Sequence, residues 1–199
     1  MSDVGDGIDW TRIALTPIEA EDLESVHAWQ NDPEIRDLIM GFRGPVRRET
    51  TADWIRNLSD QNLKTRAVFA IRSDGAIRGV AQLHGIDWLQ RSAILGIFVG
   101  DRNDRGAGLG RGAVALLLDY AFRGLDLHRV SLEVLASNGP ARRLYEKLGF
   151  ASEGVLRQAF LRAGVREDVA LYGLLSSEWT FVPPAAARRL VSERPSSQG

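Results

Sequence analysis

Along the chain, apolar positions switch repeatedly between a two-residue and a three-to-four-residue spacing. Trp10–Leu15 alternates as a short strand does and stops at Thr16-Pro17. Glu19–Gln30 carries Leu23, Val26 and Trp29 at three-residue steps behind an acidic first turn, which predicts a helix. Asn31-Asp32-Pro33 ends it, and Pro33 suits the first position of a short second helix over Glu34–Met40. Arg47–Leu58 predicts a third, with Trp54, Ile55 and Leu58 on one side. Arg66–Arg72 and Ile77–Ile86 read as antiparallel strands around Ser73-Asp74-Gly75, and Ile94–Val99 as a buried strand after a second turn. A helix follows over Leu109–Phe122, its Val114, Leu117, Leu118 and Ala121 facing the sheet. The remainder reads as a strand over Arg129–Leu135, a helix over Gly139–Leu148 closed by Gly149, and strands over Phe150–Leu161 and Glu167–Leu175.

Helices alternating with strands in the middle, and antiparallel hairpins at both ends, predict a mixed α/β sheet. At 199 residues the chain suits one domain, taken as 10–180. Residues 1–9, rich in Gly and Asp, are expected to be flexible, and 181–199, rich in Pro, Ala, Arg and Ser, to be a disordered tail. Apolar content of 44% and charged content of 26% are ordinary for a globular protein. A net charge of −1 gives no nucleic-acid footprint. The apolar runs are too short to cross a membrane, and the acidic MSDVGDGIDW start lacks the features of a signal peptide, so a cytoplasmic protein is expected. Cysteine is absent, which removes disulfides and a cysteine acyl-enzyme. His27, His84 and His128 do not cluster, so no metal site is expected.

The chemistry concentrates between Ser92 and Gly112, SAILGIFVGDRNDRGAGLGRG. A strand, a loop with Gly106, Gly108, Gly110 and Gly112, and then a helix start form a device for holding phosphate. Glycine permits close backbone approach, and helix N-terminal N–H groups point at the anion. The kinase-type loop is excluded because Gly110 is followed by Arg111-Gly112 and not by Lys-Ser/Thr. Gly108-Leu-Gly110-Arg-Gly112-Ala113 loosely fits the dinucleotide pattern, but no strand ending in an acidic residue follows at the right distance.

Arg105-Gly-Ala-Gly108-Leu-Gly110 has the form R/Q-x-x-G-x-G/A and resembles the acyl-CoA loop of the GNAT superfamily of N-acetyltransferases. Ser131–Asn138, Ala141, Leu144–Phe150, Gly154–Arg157, Asp168 and Trp29–Pro33 resemble the branch holding ribosomal-protein N-terminal and spermidine acetyltransferases, over roughly residues 12–180. The resemblance implies a GNAT fold, with a mostly antiparallel sheet splayed at the acyl-CoA site and flanked by helices. It also implies acetyl transfer from acetyl-CoA to a primary amine by direct attack. The acceptor would be a protein N-terminus, polyamine, amino sugar or other small amine, and a homodimer is a reasonable assembly. A non-catalytic acyl-CoA sensor is the alternative, distinguished by whether an amine releases thiol.

By the same resemblance, Arg105, Gly106, Ala107, Gly108, Leu109 and Gly110 hold the pyrophosphate with Arg111 as helper, and the backbone of Ile97, Phe98 and Val99 pairs with the pantetheine arm. Gly96 and Gly100 would ease a bulge that admits it. Asn138 matches the asparagine that bonds pantetheine, or caps a helix, or both. Tyr145 occupies the general-acid position, against the plain reading of a half-buried aromatic. Glu133 breaks an apolar strand twelve residues earlier and is the base candidate, its carboxyl raised by burial. The competing reading makes it a water-facing glutamate paired with Arg129. The acceptor pocket falls to Asn31–Arg47 and the Gln158–Glu167 hairpin, with Glu167 and Asp168 as candidates to orient a cationic substrate; His84 is a further candidate to face it.

Overall fold

The computed structural model describes residues 7–40, 44–58, 63–101, 104, 108–185 and 187. Seven strands form one sheet, β1 (Ile13–Thr16), β2 (Arg66–Ser73), β3 (Ala76–Asp87), β4 (Ser92–Val99), β5 (Arg129–Leu135), β6 (Ala151–Arg162) and β7 (Val165–Leu175). Their order is β1-β2-β3-β4-β5-β7-β6, and every neighbouring pair is antiparallel except β4 with β5. The helices are α1 (Leu23–Asn31), α2 (Pro33–Leu38), α3 (Arg48–Arg56), α4 (Leu109–Asp119) and α5 (Gly139–Lys147). The mixed, mostly antiparallel sheet flanked by helices is the class expected from the sequence.

Strand alternation divides the core into two layers. Ile71, Leu83, Leu95, Leu132 and Leu174 point to the side of α4 and α5, where Val114, Leu116, Leu117 and Leu118 complete the larger cluster. Ala70, Val80, Val68 and Phe98 point the other way and meet Val26, Trp29, Trp54 and Ile55 of α1 and α3. Trp29 packs edge-on against Phe98 with centroids 5.9 Å apart.

Local chemistry moves several boundaries. The first helix starts as a 3-10 turn at Ala20–Asp22, because buried Asp22 accepts from Glu19 N–H (2.9 Å) and binds Arg72 through two oxygens at 2.7 and 3.0 Å. Asp32 caps α2 by accepting from the N–H groups of Glu34 and Ile35, with Pro33 in the first turn. The helix read to Phe122 ends as α4 at Asp119 and loosens into a π-turn over Tyr120–Gly124. Gly149 takes φ +95° behind α5, as a helix-ending glycine should.

At the ends of the domain, Ile8 is buried, lying against α4 where Gly112 leaves room for it, while Gly7 and Asp9 are exposed. Phe181 stacks on Trp10 at 5.6 Å and Ala187 is buried, so the described start of the 181–199 tail belongs to the core.

Candidate active site

β4 pairs with β3 from Ser92 to Val99, but with β5 only at Ser92↔Arg129, Ala93↔Val130 and Ile94↔Ser131. Beyond Ile94 the two strands part, while β5 stays paired on its other edge with β7 from Arg129↔Leu175 to Leu135↔Val169. The register of β4 with β3 is unbroken from Gly79↔Val99 to His84↔Ile94, so the opening comes from divergence and not from a bulge in β4 at Gly96 and Gly100. Those glycines serve packing: a Cβ on Gly100 would strike the Trp29 indole, and one on Gly96 would sit 3.1 Å from Gln82 Nε2.

A cleft of about 1430 Å³ runs through this parting. That exceeds the roughly 300–1,000 Å³ of a site for one small ligand and suits two substrates meeting. The edge of β4 at Ile97, Phe98 and Val99 lines it, with Gly108, Gly110 and Arg111 at the start of α4 and Asn138, Ala141, Leu144 and Tyr145 on α5. On the α1–α3 side the lining adds Gln30, Glu34, Ile35, Arg66, Gln82, His84 and Glu133.

Gly108 caps α4 in the left-handed region (φ +84°), where glycine is favoured, and its carbonyl accepts from Gly112 N–H at 2.9 Å. Leu109 is buried by its side chain, so only its backbone can meet a ligand. Arg105, Gly106 and Ala107 lie outside the described residues.

Asn138 is the N-cap of α5, its Oδ1 accepting from Ala141 N–H at 3.2 Å, and the residue lines the cleft. The helix is held by a polar chain beneath it: Tyr172 donates to Glu146 (2.8 Å), and Arg142 donates to Tyr172 (3.1 Å) and to the Ala136 carbonyl (3.2 Å). Tyr145 is only 7% exposed, its ring set edge-on against Phe150 at 5.8 Å. Burial pushes its phenol up to about 12, so the hydroxyl stays protonated and able to donate at neutral pH.

Glu133 corrects the sequence reading, since it is exposed on β5 and the burial invoked to raise its carboxyl is absent. Nor does Arg129 pair with it; Arg129 binds Glu153, whose carboxyl it holds below the usual range. Glu133 does reach the cleft, together with His84 on β3. Burial and the Arg66 guanidinium push the His84 imidazole below its usual value, and Glu133 opposes them. Of the acceptor segments, Glu34, Ile35, Ile39 and Met40 line the cleft, whereas no residue of the 158–167 hairpin does. Asp168 instead accepts from Gln158 N–H at 2.8 Å, and Glu167 binds Arg162 and Ser137. Arg66 and Gln82 went unnoticed in the sequence, where a polar residue on a half-exposed strand is ordinary.

A model of the acetyltransferase (GNAT) domain matches residues 12–151. This chain belongs to the GNAT acetyltransferase family. YdaF of Bacillus subtilis, provisionally named a ribosomal N-acetyltransferase, is 32% identical over 171 residues, which are 83% of this chain and 90% of that protein. The spermidine N(1)-acetyltransferase of Escherichia coli K12 is 30% identical over 154 residues, 76% of this chain and 80% of that one. The crystal structure of the Vibrio cholerae spermidine N-acetyltransferase with CoA and spermine superposes with a TM-score of 0.76 at 27% identity, covering 85% and 98% of the two chains. As a GNAT enzyme, the protein transfers acetyl from acetyl-CoA to an amine.

The parted strands fit the donor that this family uses. A backbone edge on β4, a glycine-capped helix start and the Asn138 amide offer the polar groups a phosphorylated, amide-containing arm requires.

Proposed function

We propose that the cleft acetylates a primary amine by direct attack, with Tyr145 supplying a hydrogen bond and a proton to the leaving sulfur and Glu133 receiving the ammonium of the acceptor. The observation that carries this reading is the parting of β4 from β5, which brings Tyr145 on one wall and Glu133 on the other into a single cleft. An amine with a pKa of about 8–10 arrives protonated, so a carboxylate at the entrance both attracts it and helps strip its proton. Gly108, Leu109, Gly110 and Arg111, with Arg105, Gly106 and Ala107 before them, hold the pyrophosphate. Ile97, Phe98 and Val99 offer backbone to the pantetheine, and Asn138 Nδ2 bonds it. No cysteine exists to carry an acyl group.

The acceptor belongs among polyamines, amino sugars and peptide N-termini in the cytoplasm, where acetyl-CoA is available to a chain without disulfides. The lining mixes Glu34 and Glu133 with Arg66, Arg143 and Lys147, so it lacks the one-sided acidity that a polyamine alone would favour. Thiol release from acetyl-CoA, measured over a panel of such amines, tests the reading. Turnover on at least one amine supports it, and CoA binding without any turnover would overturn it.

Self-association is part of the same reading. β6 is an edge strand, and Val155, Leu156 and Leu161 on it, with Val165 on β7, are 44–63% exposed. A solved spermidine N-acetyltransferase of Vibrio cholerae is dodecameric. Light scattering on the purified chain should return a multiple of 21.9 kDa, and a monomer at micromolar concentration would refute this part.

A further inference from the structure

Strand register sets a polar row across the α1–α3 face of the sheet, directly at the parting. Arg66 on β2 lies opposite His84 on β3, His84 lies opposite Ile94 on β4, and Ile94 opposite Ser131 on β5. These positions share one face, and Glu133, two residues beyond Ser131, shares it too. Between Gln82 and the Glu133 strand the β4 position is Gly96, and the Gln82 side chain lies over it. Arg66, His84 and Glu133 all line the cleft, and neither Arg66 nor Glu133 forms an ion pair with a described residue. His84 makes no hydrogen bond to a described residue, so both ring nitrogens remain for substrate or water.

The geometry points to His84 as the group that takes the proton from the acceptor ammonium, with Glu133 holding the imidazolium so formed and Arg66 returning the ring to its neutral form. This rests on the amine-acetylation reading above and adds the destination of the proton. An imidazole is the side chain that titrates nearest neutral pH, which suits it to this task. Its half-buried place on β3 and the facing Arg66 favour the neutral ring between turnovers, while Glu133 acts the other way. The remaining charges lining the cleft are Glu34 on α2, Arg111 at the start of α4, and Arg143 and Lys147 on α5.

The protons balance. His84 accepts one proton as an ammonium N–H breaks, and the pair left on nitrogen attacks the thioester carbonyl carbon. As the C–S bond breaks, sulfur keeps its pair and receives the Tyr145 proton. The second N–H proton, lost as the amide forms, restores the Tyr145 hydroxyl. His84 then releases its proton to water at the cleft mouth, which is the one net proton of the reaction.

The test is kcat/KM against pH for the full chain and for His84→Gln, Arg66→Gln and Glu133→Gln, with CoA affinity by calorimetry as the folding control. In the unaltered enzyme the acidic limb should fall below pH 6.5, since the folded imidazole titrates low. His84→Gln should lose about 10²–10⁴-fold in kcat/KM and the limb with it, while binding CoA within about twofold. Arg66→Gln should move the limb to higher pH, and Glu133→Gln to lower pH with a loss of rate. If an active enzyme keeps its rate and limb in His84→Gln, or if the limb ignores both charge changes, the His84 assignment is wrong and amine acetylation still stands. An unaltered enzyme inactive on every amine removes both. Should His84→Gln lose CoA binding, ring titration by NMR in the unaltered chain decides: a ring that fails to move in Arg66→Gln and Glu133→Gln overturns the assignment.

Discussion

Along β4, pairing with β3 runs from Ser92 to Val99, whereas pairing with β5 runs only from Ser92 to Ile94. The closed edge is a stability device: paired backbone over Leu83 and Leu95, with α4 packed behind. The open edge sits between two half-sheets that are each complete elsewhere, β1–β4 on one side and β5–β7 on the other. Since buried backbone must find partners, an edge left open inside a protein marks a place for a ligand with peptide-like groups. Stability and chemistry are thus separated by a few ångströms on one strand, and substitutions on either side should report different quantities.

The largest expected effect is on the open side. Tyr145→Phe should lower kcat by about 10²–10⁴-fold with little change in CoA affinity, measured by thiol release and calorimetry. Because burial raises this phenol to about 12, its ionisation should add no limb to the rate profile below about pH 10. The sign for stability follows: the neutral phenol is favoured in the fold, so its contribution is complete below pH 10 and is lost as pH rises towards 12.

On the closed side, Leu83→Ala should destabilise the fold by about 2–5 kcal/mol in urea unfolding, because Leu83 is fully buried beneath α4. If the protein survives the substitution, its kcat should change far less than in Tyr145→Phe. Equal losses in both measurements would dissolve the distinction between the edges.

Gly96 in β4 and Gly100 just after it sharpen it. Gly100→Ala presses on the rigid Trp29 ring and should cost about 1–3 kcal/mol of stability. Gly96→Ala meets the movable end of Gln82, so its stability should change by less than about 1 kcal/mol while KM for the amine rises. The smallest effect belongs to Asn138→Ala, where loss of the cap should cost about 1 kcal/mol in unfolding, together with weaker CoA binding.

How far the site could be read beforehand varied by residue. Asn138 and Tyr145 were singled out because they sit within Ser131–Phe150, a strand and following helix whose motif resembles that of the family. Glu133 was found for a mistaken reason. A charged residue in an apolar strand suggests burial, but this one projects where β5 has left β4 and water enters. His84 and Arg66 come from different strands, and nothing local says that they stand opposite each other until β2 and β3 pair. The Gln158–Glu167 hairpin was placed at the acceptor site, whereas Glu167 binds Arg162 and Ser137, and the neighbouring Asp168 accepts from Gln158 N–H.

From its own residues, the sequence determined the strands, the helices, the glycine-capped start of α4 and the proline start of α2, because these follow from hydrophobic period and from backbone freedom over a few neighbouring residues. Tertiary structure alone decided that β5 would join β7 and leave β4, that Tyr145 and Glu133 would flank the gap, and that Arg66 and His84 would share a row with Glu133. Register between distant strands is a property of the assembled sheet: it depends on which faces find burial together, and no short stretch of sequence contains that information.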